Sequence, residues 1–174
     1  MLKTIPNFKL RCASKADKKA IKRFYHQQHY SAKFKGLDTS YLIEAANNST
    51  PEHRVECQNK PFKENTKEII ACAIISQLET NNSQLFLHAL VVHKNYQQNG
   101  LATQLLNYAI DAKVKNSKEE ITSTVCFCEP SLISLYLKSH FICVSHEVLN
   151  PILNARYQTY LKKEPELKIM MFNV

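Results

Sequence analysis

Glycine is nearly missing from this chain. Average usage would place about twelve in a sequence of this length, and only Gly36 and Gly100 are present among 174 residues. Long apolar runs are missing too. The longest, residues 69–75, falls far short of the ~20 residues needed to cross a bilayer. The first six residues carry no apolar core of the kind a secretory signal needs, so a soluble, cytoplasmic protein is expected. None of Cys12, Cys57, Cys72, Cys126, Cys128 and Cys143 forms a C-x-x-C pair, and no ligand set at zinc spacing accompanies them. The expectation is reduced thiols buried in strands and no metal, with Cys126 and Cys128 on one strand face. No internal repeat or low-complexity tract appears.

What is present reads as one globular domain, residues 1–174, with 44% hydrophobic residues and a net charge of +8. Lys15, Lys18, Lys19, Lys22 and Arg23 cluster on a first helix. That cluster is either a solvated face or an attractor for an anion: nucleic acid, an acidic protein or a phosphorylated cofactor. No basic–aromatic repeat accompanies it, so nucleic acid is not the expected partner.

Residues 8–12 alternate like a strand. Ser14 and Asp17 have capping-box spacing, and Ala20, Ile21, Phe24 and Tyr25 form a helical stripe behind them. Tyr41, Leu42, Ala45 and Ala46 predict a second short helix. Residues 54–58 predict a short strand, and residues 59–67 a charged loop. Residues 68–78 and 84–92 predict two strands joined by a turn at residues 80–83. Residues 100–114 make the best helix, with Leu101, Leu105, Leu106, Ala109 and Ile110 at helical spacing. Residues 121–128 read as strand, Pro130 opens a short helix, residues 141–149 return as strand, residues 150–166 form a polar excursion, and residues 167–174 close as strand. This order predicts an α+β (mixed α/β) fold: a mixed, mostly antiparallel sheet of about 6–7 strands with helices on both faces.

Gly100 stands between the apolar run of residues 85–92 and that best helix. A strand, a polar loop and a helix start with Gly100 and Ala102 present free backbone N–H groups backed by the helix dipole. Such a surface binds phosphate oxygens. Gly100 and Ala102 let an anion approach the main chain.

Two blocks carry a family likeness. Gln97-x-x-Gly100-x-Ala102 resembles the Q/R-x-x-G-x-G/A acetyl-coenzyme A signature of the GNAT acetyltransferases. Leu135-Tyr136-Leu137-Lys138-Ser139-His140-Phe141 resembles the family's L-Y-x-x-x-G-F block. The likeness spans most of the chain and is strongest over residues 85–141. Residues 87–93 followed by Gln97 and Gln98 are locally similar to arylalkylamine N-acetyltransferases, with His88 matching one of two histidine positions and Phe86 standing at the other. Two departures stand out. His140 replaces the second block's glycine, which leaves the backbone conformation there open. Gln97, Gln98 and Asn99 stand where an arginine and an extra glycine are frequent, which shifts pyrophosphate binding onto main-chain N–H groups.

The resemblance implies an acetyl-coenzyme A-dependent N-acetyltransferase acting on a primary amine through direct ternary-complex transfer. Residues Gln97, Gln98, Asn99, Gly100, Leu101, Ala102 and Thr103 would cradle the pyrophosphate. Leu90, Val91 and Val92 would hold the pantetheine arm through main-chain bonds, and an N–H near Leu90 would polarise the thioester carbonyl. Tyr136 is the candidate general acid, since a phenol of pKa about 10 is protonated at neutral pH. His88, of unperturbed pKa about 6.5, is the candidate base, with Glu79 and water alone as rivals. Strand alternation predicts His88 on one face with Phe86, Leu90 and Val92. His93 reads as surface, and Glu129 holds the place of a cofactor-contacting asparagine in many relatives. Tyr30, Phe34, Tyr41, Tyr157 and Tyr160 are candidates to line the acceptor pocket. A homodimer stays open, as does a non-catalytic module that senses acyl-coenzyme A or binds an anionic partner. The acceptor amine is not written in these residues.

Overall fold

The computed structural model describes residues 7–31, 38–45, 68–78, 83–117 and 120–174. Among these described residues seven strands form one sheet. In chain order they are β1 (Phe8–Cys12), β2 (Asp38–Ala45), β3 (Ile69–Gln77), β4 (Gln84–Val92), β5 (Ser123–Cys128), β6 (Ile142–Val144) and β7 (Lys168–Asn173), and their order across the sheet is β1-β2-β3-β4-β5-β7-β6. Every pairing is antiparallel except β4 with β5. Among the described residues four helices accompany the sheet: α1 (Lys18–Gln27), α2 (Leu101–Asn116), α3 (Ile133–Leu137) and α4 (Pro151–Leu161). The mixed, mostly antiparallel architecture read from the sequence is present. No helix among the described residues is long and apolar enough to cross a membrane.

Two faces of the central strands are filled differently. Leu101, Leu105, Leu106, Ala109 and Ile110 of α2 pack with Ile43, Ala73, Ile75, Leu85 and Leu87. On the other face Ile21, Phe24 and Tyr25 of α1 pack with Leu42, Cys72 and Ile74. A third cluster joins Phe86, Val125 and Ile169 to Leu149 and to Leu153 of α4. Cys126 and Cys128 share the α2 side, as strand alternation requires.

The start of α1 follows the capping chemistry. Asp17 Oδ2 accepts from the Ser14 backbone N–H at 2.6 Å and from its hydroxyl at 2.8 Å. Asp17 is also bridged to β1 and β2. Arg11 donates to Asp17 Oδ1 at 2.7 Å and to Glu44 Oε2 at 2.9 Å, and Glu44 is nearly buried. Bonding to the Arg11 guanidinium holds the Asp17 carboxyl well below the usual carboxylate range, against the pull of burial.

Three expectations need correction. Tyr41, Leu42 and Ala45 lie in strand β2, not in a helix. That strand is buried on both faces between α1 and α2, so its apolar residues run on without alternation and mimic a short helical stripe. The polar excursion at residues 150–166 contains α4, whose start is set by Asn150. Its side chain accepts from the Leu153 amide at 2.9 Å, and Pro151 fills the first turn. The strand expected over residues 141–149 is short, β6, followed by a single 3₁₀ turn. The strand and loop expected over residues 54–67 and most of the turn at residues 80–83 lie outside the described residues; β3 and β4 pair antiparallel on either side of that turn.

Candidate active site

The loop after β4 turns through a 3₁₀ turn, Lys94–Tyr96, and reaches the start of α2. Gln97 Nε2 donates to the Val92 carbonyl at 3.1 Å, and Asn99 Nδ2 donates to the carbonyls of Tyr96 and Gln97, so both side chains fold back onto the loop. Gly100 is the N-cap, with φ 74° and no side chain to accept from the first turn. A Cβ at Gly100 would stand 3.9 Å from Gln104 Nε2, so the positive φ and not crowding favours glycine here. Gln98 also has positive φ, 63°. Among the described residues, no protein acceptor pairs with the amides of residues 98–103. The first-turn amides of a helix have no partner within it.

Beside these amides lies a cavity of about 460 Å³ lined by Leu90, Val92, Gln97, Gln98, Gly100, Leu101, Ala102 and Thr103, with Tyr136 and Lys138 on its far wall. Asn99 and Val91 are not on its surface. The Val91 side chain turns to the α1 cluster. Lys138 brings a cation that the motif reading did not assign.

Strand β4 departs from regular alternation midway. Ala89 has φ 55°, and the register with β3 shifts between Cys72 and Ile74. The resulting bulge reverses which residues face which side. Phe86 and His88 lie on the α1–α4 side, Ala89 and Val91 join the α1 cluster, and Leu90 and Val92 pack toward α2. The expectation that His88 shares a face with Leu90 and Val92 is therefore wrong. Tyr25 pins the bulge by donating to the Ala89 carbonyl at 2.7 Å. Pairing of β4 with β5 covers only Gln84, Leu85 and Phe86, opposite Ser123, Thr124 and Val125. Beyond Phe86 the two strands are not paired.

A second cavity, of about 910 Å³, lies where they part, on the α1–α4 side. Leu90, Leu132 and Tyr136 line both cavities. Asp38, Ser76 and His88 form a chain on the sheet surface. Ser76 Oγ donates to Asp38 Oδ1 at 2.5 Å and lies 2.8 Å from His88 Nε2. A hydroxyl has one proton and a carboxylate only accepts, so Nε2 of His88 is the donor toward Ser76. Asp38 and Ser76 come together because they are directly paired in the β2–β3 register, and Ser76 faces Phe86, two residues from His88. No local motif announces this chain.

Tyr136 is buried, with its ring edge-on to Phe141 at 5.4 Å. Burial, then the neighbouring Cys126 and Cys128 thiols, push its hydroxyl well above the ordinary tyrosine value, so it stays protonated. The block's replaced glycine, His140, takes a left-handed φ of 62° and ends α3, with the Phe141 amide reaching back to the Tyr136 carbonyl at 3.1 Å. A glycine-type turn is thus kept without glycine. Cys128 also lines the larger cavity, and burial pushes its thiol up to about 11.

Other candidates divide. Tyr30, Tyr160 and Glu129 line the larger cavity. Tyr41 is 2% exposed on the α2 side, edge-on to Tyr108, and so cannot meet an acceptor there. Tyr157 packs at a tilt against Phe127 and donates to the Leu167 carbonyl at 2.8 Å. His93 accepts the Asn95 amide at 3.2 Å and serves the loop turn. Phe34 and Glu79 lie outside the described residues.

The donor set beside Gly100 suits coenzyme A. Unpartnered amides at a helix start with Lys138 across the cavity would suit a diphosphate, and an unpaired β4 edge would suit an extended amide-bearing arm.

Comparisons with known proteins agree with this geometry. Among curated protein sequences none matches the chain. Among solved structures, N-acetylglutamate synthase from Neisseria gonorrhoeae, complexed with coenzyme A and N-acetyl-glutamate, superposes with a TM-score of 0.64 at 13% identity, over 96% of this chain and 35% of that one. This chain thus spans about a third of that synthase. Spermidine N-acetyltransferase from Vibrio cholerae gives a TM-score of 0.59 at 13% identity over 95% and 94% of the two chains. A GNAT-family acetyltransferase from Staphylococcus aureus gives 0.57 at 13% identity over 96% and 99%. At these identities the likeness is one of fold. The model of the acetyltransferase (GNAT) family matches residues 19–141, and the chain belongs to that family of acetyl-coenzyme A-dependent transferases.

Proposed function

We propose that this protein acetylates a primary amine by direct transfer within a ternary complex. The observation that carries the reading is the meeting of two cavities at Leu90, Leu132 and Tyr136, where β4 and β5 part. One cavity borders the free amides at Gly100, and the other holds the Asp38–Ser76–His88 chain. Donor and acceptor can therefore approach from opposite sides of the sheet.

Acetyl-coenzyme A supplies the acetyl thioester and leaves as the free thiol. The amides of residues 98–103, with the α2 dipole and Lys138, hold its diphosphate. The β4 edge beyond Phe86 orients the arm. His88 takes the amine proton, directly or through water, as the new C–N bond forms. Asp38, acting through Ser76, favours the imidazolium that results. Tyr136 hands its proton to the sulfur as the C–S bond breaks, and regains one from solvent because its burial disfavours the phenolate.

A covalent acetyl-cysteine is disfavoured. Cys128 borders the larger cavity from the α2 side of the sheet, and its thiol, at about 11, is almost wholly protonated at neutral pH. The test is free-thiol release from acetyl-coenzyme A with a panel of primary amines. Release that depends on both the amine and Tyr136 supports the reading. Tight cofactor binding with no release on any amine contradicts it.

A further inference from the structure

Charges of both signs line the larger cavity. Asp38 and Glu129 stand on the sheet side, and Arg156 and Lys163 on or just after α4. Arg156 is half-buried, with its guanidinium carbon 5.0 Å from the centre of the Phe86 ring. Among the described residues the ion pairs belong to Arg11, and Arg156 meets no carboxylate. Arg11 is saturated by two acids, whereas Arg156 is anchored over an aromatic face with its fork of donors unused. A guanidinium fixed this way is preorganised for a carboxylate, which it binds through two parallel hydrogen bonds.

Phe86 also sets the distance to the chemistry. His88 stacks on the same ring with centres 5.3 Å apart and planes 16° from parallel. Laid end to end, the 5.3 Å and 5.0 Å spacings keep the imidazole centre and the guanidinium carbon within about 10 Å of one another. An amine hydrogen-bonded to the imidazole sits about 3 Å from its nitrogen. A carboxylate paired with the guanidinium places the two carbons about 4 Å apart. The amine nitrogen and carboxylate carbon of an α-amino acid are about 2.5 Å apart. The three lengths sum to about 9.5 Å, which stays within that upper limit, and both His88 and Arg156 line the same cavity.

From this geometry we infer that the acceptor is a small amino carboxylate, of the α-amino acid class, with its amine at His88 and its carboxylate on Arg156. The inference rests on the acetyl-transfer reading for its chemistry, but the carboxylate site stands on Arg156 and Phe86. Charge orients the acceptor: Asp38 and Glu129 repel the carboxylate from the sheet side, and Lys163, just after α4, adds attraction. The same two cations act against a polyamine, which has no anion to offer them.

The test compares free L-amino acids with their primary amides, which keep the amine and lose the anion. Wild type should favour the acid over its amide by at least tenfold in kcat/KM for the best acceptor. In Arg156→Gln that ratio should fall to near one, mainly through KM, and Arg156→Lys should recover part of it. Calorimetric titration of the same amino acids, with coenzyme A present, separates the two claims. Amino-acid binding that Arg156→Gln removes, without turnover in wild type, keeps the carboxylate site and overturns the transferase reading. Turnover of amides or polyamines at least as fast as amino acids, unaffected in ratio by Arg156→Gln, overturns the carboxylate site and keeps the transferase. Neither binding nor turnover of any amino acid overturns the site as well.

Discussion

His88 Nε2 lies 2.8 Å from Ser76 Oγ, and Ser76 in turn donates to Asp38. The carboxylate thereby acts on the imidazole through one hydroxyl and favours its protonated form. Removing that influence makes proton uptake harder. Asp38→Asn should move the acid limb of the kcat/KM–pH profile to lower pH, by up to about one unit for a charge acting at this range. Ser76→Ala should move the limb the same way, and His88→Gln should lower kcat by about 10²–10⁴-fold. An unchanged profile in Asp38→Asn would remove the chain from the mechanism.

Tyr136→Phe keeps the edge-on contact with Phe141 and deletes only the hydroxyl. Turnover should fall by about 10²-fold or more, while acetyl-coenzyme A affinity stays within a few-fold. Burial raises the phenol's pKa above its ordinary value, so deprotonation is pushed above about pH 10. No alkaline loss of activity below that pH should trace to Tyr136. Steady-state rates from pH 6 to 10 on both proteins check this.

Cys128→Ala should retain turnover within a few-fold, and intact mass spectrometry of wild type mixed with acetyl-coenzyme A should show no stable added acetyl group. Its thiol, raised to about 11 by burial, does not supply a thiolate at neutral pH.

Stability should fall in acid for a reason that can be located. The Arg11 bridge depresses the Asp17 pKa in the folded state. A depressed carboxylate stabilises the fold above its unfolded pKa of about 4, and that contribution is lost as pH falls through and below it. Arg11→Ala should flatten this acid dependence. It should also cost about 3 kcal/mol at neutral pH, because Glu44, 4% exposed, is left without its cation. Urea melts at several pH values measure both effects.

Much of this was legible in the residues because it is local. The Gly100 turn, the five apolar positions of α2 and the Ser14–Asp17 cap each depend on a few neighbouring side chains. Strand β2 was not, since burial on both faces erases the alternation that distinguishes a strand, leaving Tyr41, Leu42 and Ala45 at spacings a helix also allows. Helix α4 buries only Leu153, so no apolar stripe marks it; Asn150 followed by Pro151 was the available signal. The bulge had none, for Ala89 takes a positive φ without glycine and is held there by Tyr25, 64 residues away in sequence. Asp38, Ser76 and Arg156 meet around His88 and Phe86 through strand register and helix packing, which no short motif encodes.

Calorimetric titration with acetyl-coenzyme A, on wild type and on Gly100→Asp, tests the central claim most directly. The account predicts a single site in wild type and at least a tenfold weaker one in the variant, whose carboxylate would occupy the diphosphate's place beside the bare amides. Gly100→Ala, strained by about 1 kcal/mol at φ 74° but uncharged, should lose far less. No heat of binding in wild type at millimolar ligand, or equal affinity in Gly100→Asp, would contradict it.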